Sequence, residues 1–258
     1  MQKEKRYEVL VLGATFAAAG LAQALGSRCL VVDRRAQPGW EFLGALNFGA
    51  GYDCPLACTA AQQLQQEWAQ RGCFAANGRI NLLDCGASLC RRLEGAQVLL
   101  NSEIAAVEKA PEGFVVTTHG TAGFRRWTAR RVIDTRCPAA KIVQKSYHAL
   151  LHTETPEQLP QNVQLERWGG EGDFVLKCPV PPDASFAQAR AALQVQLQQL
   201  PAGYRPVLTA DAFACVPDET PPEEDGVEYL ISCNYANPLL AYDAGVRYGE
   251  EVLRHAAF

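Results

Sequence analysis

Tyr7-Glu8-Val9-Leu10-Val11-Leu12-Gly13-Ala14-Thr15-Phe16-Ala17-Ala18-Ala19-Gly20-Leu21-Ala22, followed by Gly26-Ser27-Arg28-Cys29-Leu30-Val31-Val32-Asp33, decides the fold of this chain. Residues 7–12 are apolar on both faces, the signature of a central parallel strand. A turn of small residues leads into a helix over Phe16–Leu25, with Leu21 and Leu25 four apart and small residues on the side expected to face a sheet. Residues 29–32 make a second buried strand. No hairpin turn joins the two strands, so a right-handed crossover is the default. A strand–turn–helix–strand unit of this kind has the layout of a dinucleotide-binding fold.

The chemistry of such a unit lies in its turn. The free amides and dipole at a helix N-terminus hold an anion. The turn wants glycine first for the bend, glycine second for close approach of a pyrophosphate, and a small third residue for helix packing. Gly13, Thr15 and Ala18 stand at these positions. Thr15 is the departure, since its β-branched side chain occupies space the phosphates approach. The candidate phosphate-binding residues are therefore Gly13, Ala14, Thr15, Phe16 and Ala17. Asp33 lies twenty residues beyond Gly13, where a carboxylate accepts hydrogen bonds from ribose hydroxyls. Arg34 and Arg35 follow, placed either to touch phosphate or to be solvated. The bland alternative is a doubly wound unit that binds nothing here.

Composition sets the outer limits. The chain has 258 residues, 48% of them hydrophobic and 20% charged, an ordinary globular balance. A net charge of −4 without any Lys/Arg block gives no electrostatic case for nucleic acid or an anionic membrane. No apolar run approaches the roughly 20 residues that span a bilayer. The opening Met-Gln-Lys-Glu-Lys-Arg has no signal-type apolar core, so a cytoplasmic protein is expected. The 10 cysteines then read as reduced thiols. With no Cys-x-x-Cys pair and only four histidines, a zinc site is not expected.

Farther along, residues 36–58 read as a glycine-rich loop, long enough to be functional. Ala60 to Gly72 is a predicted helix, Asn77-Gly78 a turn, 79–83 a short strand and Gly86 to Leu93 a short helix. Five short strands follow, over 97–101, 103–108, 114–118, 124–128 and 131–134, separated by turn signals at Glu112-Gly113 and His119–Gly123. Lys141 to His152, Val163–Trp168 and Phe174–Cys178 are further strands. Phe186 to Leu200 is an amphipathic helix ended by Pro201. Pro217 to Glu228 is an exposed loop, Val227–Ser232 a strand and Leu239–Ala256 a helix.

This order resembles the FAD-dependent oxidoreductases of the glutathione-reductase-like fold, particularly their short bacterial members. The resemblance covers residues 1–138 and 216–258. Gln97–Glu108 is similar to the segment whose backbone lies beside the adenine, which puts Ile104 there. Val132–Cys137 occupies the strand end that reads Ala-Thr-Gly in the family, with Thr135 at the turn. Leu230–Asn234, Asn237-Pro238-Leu239 and Ala244-Gly245 resemble the C-terminal flavin segment. Thr135-Arg136-Cys137 in place of Ala-Thr-Gly, and Cys233-Asn234 in place of Gly-Asp, are departures beside that of Thr15.

The resemblance implies an α/β, Rossmann-like FAD/NAD(P)-binding fold with a parallel central sheet, a β-meander and an inserted smaller α+β substrate domain. Residues 1–138 with 216–258 would form the FAD-binding domain, and 139–215 the insert. It implies FAD as cofactor, with the flavin between the 39–51 loop, including Gly39, Trp40 and Glu41, and Asn234, Asn237, Pro238 and Leu239. The expected activity is oxidation or reduction of a small organic substrate. The alternative from another class is a non-catalytic protein that has lost the flavin and serves as a binding or scaffold module. A protein binding only NAD(P) is less favoured, because it does not need the C-terminal return. No catalytic side chain and no oligomeric state are named by the sequence.

Other constellations are weaker. Cys54 and Cys58 lie roughly where disulfide reductases of this fold carry a redox pair, but with three intervening residues and Pro55 between them; ordinary thiols are the favoured reading. His148 and His152 lack a third ligand and read as structural or solvated. Neither a Gly-x-Ser-x-Gly elbow nor a Walker A motif occurs.

Overall fold

The computed structural model describes residues 6–75, 78–139, 142–156, 163–168, 170–218 and 225–256. The first strand, β1 (Arg6–Leu12), is followed by α1 (Phe16–Leu25) and β2 (Cys29–Val32). Helices α2 (Thr59–Gln70) and α3 (Gly86–Leu93) precede β3 (Gln97–Leu99). Strands β4 (Glu103–Ala110), β5 (Gly113–Gly120) and β6 (Gly123–Asp134) come next. The sheet order is β3-β2-β1-β6-β5-β4. Its β3-β2-β1-β6 half is parallel, while β4-β5-β6 is an antiparallel meander.

The expectation of separate strands at 124–128 and 131–134 is corrected: they are one strand, β6. No turn residue interrupts Thr128–Arg131, and the charged side chains between the apolar ones find partners. Arg131 Nε donates to Glu228 at 2.7 Å, and Arg130 pairs with Glu8 at 3.4 Å. The first part of β6 pairs with β5 and its last part with β1, so one strand joins meander to parallel sheet. The expected strand at 79–83 is also corrected. Only an isolated bridge, Phe74 to Ile80, forms there, and Leu82–Cys85 is a 3-10 turn. Asn77 lies outside the described residues.

A second sheet contains β7 (Ile142–His152), β8 (Gln164–Arg167), β9 (Asp173–Val180), β10 (Arg205–Thr209) and β11 (Ala214–Pro217). Its order is β10-β7-β9-β8, with β11 also on β7. Neither β10 nor β11 was expected. Each is short and at an edge, each carries a proline, and Val207, Leu208 and Val216 are exposed, so alternation is weak. Helix α4 (Phe186–Gln198) packs on β9 and β7 and starts at a capping box, in which Ser185 Oγ accepts from Gln188 N and Gln188 Oε1 accepts from Ser185 N. Ser185→Ala is expected to cost about 1 kcal/mol in a urea titration. An unchanged midpoint would mean that this helix end contributes nothing to stability.

The chain returns through β12 (Glu228–Tyr229), parallel to β6, and ends in α5 (Pro238–Ala256). The expected strand over 227–232 is thus shortened to two residues, because Ser232–Asn234 turns away as a 3-10 helix. Residues 219–224 of the expected acidic loop lie outside the described residues.

Val9, Val11, Cys29 and Val31 face the helices; Leu10, Leu12, Leu30, Val32 and Val132 pack on Phe114, Val116 and Trp127 of the meander. Helix α1 is buried almost all round. Its small residues do more than meet the sheet: Ala17, Gly20 and Ala24 face α5. A methyl group at Gly20 would overlap the Tyr242 carbonyl, and one at Gly245 would overlap that of Ala17. Phe16 packs edge-on against Phe42 and Trp68, with ring centroids 5.8 and 6.2 Å away.

Candidate functional site

Strands β1, β2 and β6 deliver Gly13, Asp33 and Thr135 to one end of the sheet, where α1 begins. Gly13 has φ +95°, which favours glycine, and its N–H reaches Val32 O at 2.8 Å. Four of the following amides are engaged within the chain. Ala14 N donates to Asp33 Oδ2 at 2.7 Å, Phe16 N to Glu41 Oε1 at 2.8 Å, Ala17 N to Ser232 Oγ at 3.3 Å, and Ala18 N to Thr15 Oγ1 at 3.1 Å. Thr15 Oγ1 also donates to Thr135 Oγ1 at 2.8 Å, and Thr135 Oγ1 reaches Leu12 O and Gly13 O. Thr15, Phe16 and Ala17 are completely buried. Thr15 therefore acts as the N-cap of α1.

Glu41 occupies the position of an anion. Its Oε1 accepts from Phe16 N and from Ser232 Oγ at 2.7 Å, the latter 191 residues away in sequence. Its Oε2 is buried without a hydrogen-bond partner among the described residues. Burial, the largest influence, pushes the carboxyl up to about 7, while the Phe16 amide and Ser232 hydroxyl pull the other way and nearby Asp33 adds repulsion. Glu41 is carried by a π-helical turn, Trp40–Gly44, inside the stretch expected to be loop. Such turns are rare and gather at functional sites. Leu46, just beyond, has φ +50°.

The other sequence-predicted residues divide into two groups. Asp33, Arg34, Trp40 and Ile104 line a cavity of about 280 Å³ with Arg35, Ser102, Glu103, Asp134, Arg136 and Cys137. The Arg35 guanidinium stacks 4.4 Å from the Trp40 ring centroid, and Arg35 N donates to Asp33 Oδ1 at 2.8 Å. Arg136 is clamped to Asp134 at 2.9 and 2.7 Å, and its aliphatic chain lies against Gly13.

Gly39 N donates to Ala14 O at 2.7 Å, closing the loop onto the turn. Asn237 is the N-terminal cap of α5, accepting from Leu240 N at 2.9 Å, with Pro238 at the first helical position and Leu239 buried. Asn237 Nδ2 donates to Ala50 O at 2.8 Å and Gly51 O at 3.1 Å, and Ala50 N donates to Ala236 O at 2.9 Å. The 47–51 loop and the 236–239 segment are thus in direct contact. Asn234 is exposed at the surface and makes none of these contacts.

The adenosine half of an FAD molecule would meet Asp33 and Ile104 in the 280 Å³ cavity. Its pyrophosphate and flavin do not fit the remaining arrangement, because the α1 amides hold Glu41 and Ser232, and the 47–51 loop holds Asn237. Sequence reasoning missed Ser232, Asp134 and the acceptor role of Glu41. A buried serine hydroxyl leaves no periodic signal, and Glu41 is distant in sequence from the amide it caps.

Other clusters are structural. His148 is buried, with Nδ1 3.1 Å from Leu46 O and Nε2 2.7 Å from Ser146 Oγ, and burial lowers its pKa to about 4. His152 lies 2.8 Å from Asp173. Cys54 is exposed and Cys58 buried, both free. Among the described residues no group of three or more His, Cys, Asp or Glu side chains is arranged to hold a metal ion, and no helix is long and apolar enough to cross a membrane.

Two sheets in this order, with helices on one face and a meander on the other, make an FAD-binding Rossmann-type fold. Among solved structures, glycine oxidase from Geobacillus kaustophilus superposes with TM-score 0.62 at 14% identity, covering 96% of this chain and 95% of that one. A geranylgeranyl bacteriochlorophyll reductase-like protein from Thermoplasma acidophilum gives 0.63 at 11% identity, covering 98% of this chain and 79% of that one. Aklavinone-11 hydroxylase, solved with FAD and aklavinone, gives 0.58 at 11% identity, covering 100% of this chain and 63% of that one. At these identities the likeness is one of fold. No family model matches the sequence, and no curated protein matches it.

Proposed function

We propose that this chain is an oxidoreductase of the FAD-dependent class, acting on a small organic molecule, and that its dinucleotide cradle is closed by Glu41 until the carboxylate is displaced. The observation that carries the proposal is the donor set around Glu41 Oε1, a helix-end amide and a hydroxyl. Those donors suit a phosphate oxygen as well as a carboxylate. The adjoining cavity has the size and lining for an adenosine, with Asp33 and Ile104 on its wall. The closed arrangement also carries identifiable costs: an orphaned carboxylate oxygen, a π-helical turn and Leu46 at positive φ. These costs favour a second, open state. Redox chemistry in this class belongs to the flavin, and the chain binds and orients.

A second reading rests on a specific observation. The amides of Ala14, Phe16, Ala17 and Ala18 all have internal acceptors, and that closure suits a flavin-free binding protein. Visible absorbance of the purified protein and thermal shift with added FAD separate the readings. The first expects flavin bands or an FAD-dependent rise in melting temperature, larger in Glu41→Ala, provided that circular dichroism reports a folded variant. A colourless wild type that FAD does not stabilise, beside a folded Glu41→Ala that FAD does not stabilise either, leaves only the second.

A further inference from the structure

Three cysteines from three separate segments meet at the seam between the two sheets. Ser232 N donates to Thr135 O at 3.0 Å and Leu230 N to Asp134 O at 2.9 Å, so the C-terminal return runs beside the end of β6. That alignment brings Cys233 to Cys137. Strand β11 packs on the same 3-10 turn and contributes Cys215, which lies opposite Lys145 of β7. The Cys137 thiol is within hydrogen-bonding reach of both Cys215 and Cys233. All three are partly exposed free thiols. Cys137 also lines the 280 Å³ cavity, which gives a small reagent a route to it.

We propose that Cys137, Cys215 and Cys233 form a thiol–disulfide switch, in which Cys137 is the shared partner and a low-molecular-weight disulfide is the oxidant. The Cys137 thiolate, its proton lost to solvent, attacks one sulfur of the small disulfide. A mixed disulfide forms and one small thiol leaves. The thiolate of Cys215 or Cys233 then attacks the Cys137 sulfur, forming the internal disulfide and expelling the second small thiol. Two cysteine sulfurs are oxidised and the reagent's disulfide is reduced, so electrons balance. The second step is favoured because the attacking thiol is already adjacent. Closure with Cys215 ties the second sheet to the end of β6; closure with Cys233 ties down the turn that holds Ser232.

Neighbours tune the first step. The contact with Cys137 and burial push the Cys215 thiol well up, with Lys145 and Arg35 pulling weakly the other way, and Asp134 disfavours the Cys137 thiolate. The contact with Cys215 pulls the Cys137 thiol down, but the contact with Cys233, burial and Asp134 together outweigh it and push the thiol up to about 12. Attack by the cluster is therefore slow at neutral pH and speeds up as pH rises.

The test is incubation of the native protein with oxidised glutathione at pH 8.5 (about the pKa of an ordinary thiol), followed by alkylation, digestion and mass spectrometry. The expected product links the Cys137 peptide to that of Cys215 or Cys233, the linked pair being two hydrogens lighter than the two free-thiol peptides. Cys137→Ser should abolish both links, while Cys215→Ser should retain the link to Cys233. Cys54 and Cys90, exposed and outside the cluster, are expected to carry glutathione. Recovery of wild-type Cys137 as a free thiol or as a stable glutathione adduct overturns the proposal. So does an equal yield of the same links from protein unfolded before the reaction.

Discussion

Replacing Glu41 by glutamine is expected to stabilise the protein at pH 8 and to leave it almost unchanged at pH 4.5. Burial pushes the carboxyl up to about 7 in the folded chain, against 4.5 in its ordinary state. Between those values the folded state holds a proton that the unfolded state has released. Stability therefore falls as pH rises from about 4.5 to 7, and the loss is complete above 7. At 1.36 kcal/mol per unit, the full effect is roughly 3 kcal/mol, or about 5–10 °C in melting temperature. Glutamine keeps an oxygen for Phe16 N and Ser232 Oγ and never ionises. The measurement is melting temperature against pH for both proteins. A variant less stable than wild type at pH 8 would mean that the α1 dipole stabilises the charge more than burial penalises it. Alanine tests the other side, since it leaves the Phe16 amide without its acceptor and should destabilise at both pH values.

This carboxylate also marks the limit of what the sequence conveyed. The strand–turn–helix–strand unit was legible because its signals are local: runs apolar on both faces, Gly13 at the bend and Asp33 at the next strand end. The meander was legible from Glu112-Gly113 and the glycines after His119, although two of its expected strands fused across Thr128–Arg131. The two edge strands of the second sheet were not legible, because Pro206 and Pro217 disguise them and their side chains alternate weakly. The closure of the site was least legible. It depends on Glu41 meeting Phe16 and Ser232, and on Asn237 meeting Ala50 and Gly51, pairs that only the tertiary fold brings together. The departures at Thr15 and Cys233-Asn234 indicated where the site differs, without indicating that the space is filled by the chain itself.

The second large effect is expected at the crossing of α1 and α5. Gly20→Ala should lower stability by about 3 kcal/mol or more, and Gly20→Val should prevent folding. A methyl group at Gly20 would overlap Tyr242 O, lie 2.7 Å from Val246 N and lie 2.9 Å from Gly245 C. All are backbone atoms of a helix, so no side chain can rotate away; α5 as a whole must retreat. Gly95→Ala is the control, because a methyl group there meets nothing closer than Gly26 Cα at 3.8 Å. Its midpoint should move by less than about 0.5 kcal/mol. Equal urea midpoints for Gly20→Ala and Gly95→Ala would show that the two helices are not in backbone contact.

The same crossing has a consequence for synthesis on the ribosome. Helix α1 starts at residue 16, and the helix that covers Gly20 starts at residue 238. At about 5–20 residues per second, roughly 10–40 s separate their appearance. Throughout that interval the Ala17–Gly20–Ala24 face of the nascent chain lacks the partner that α5 supplies.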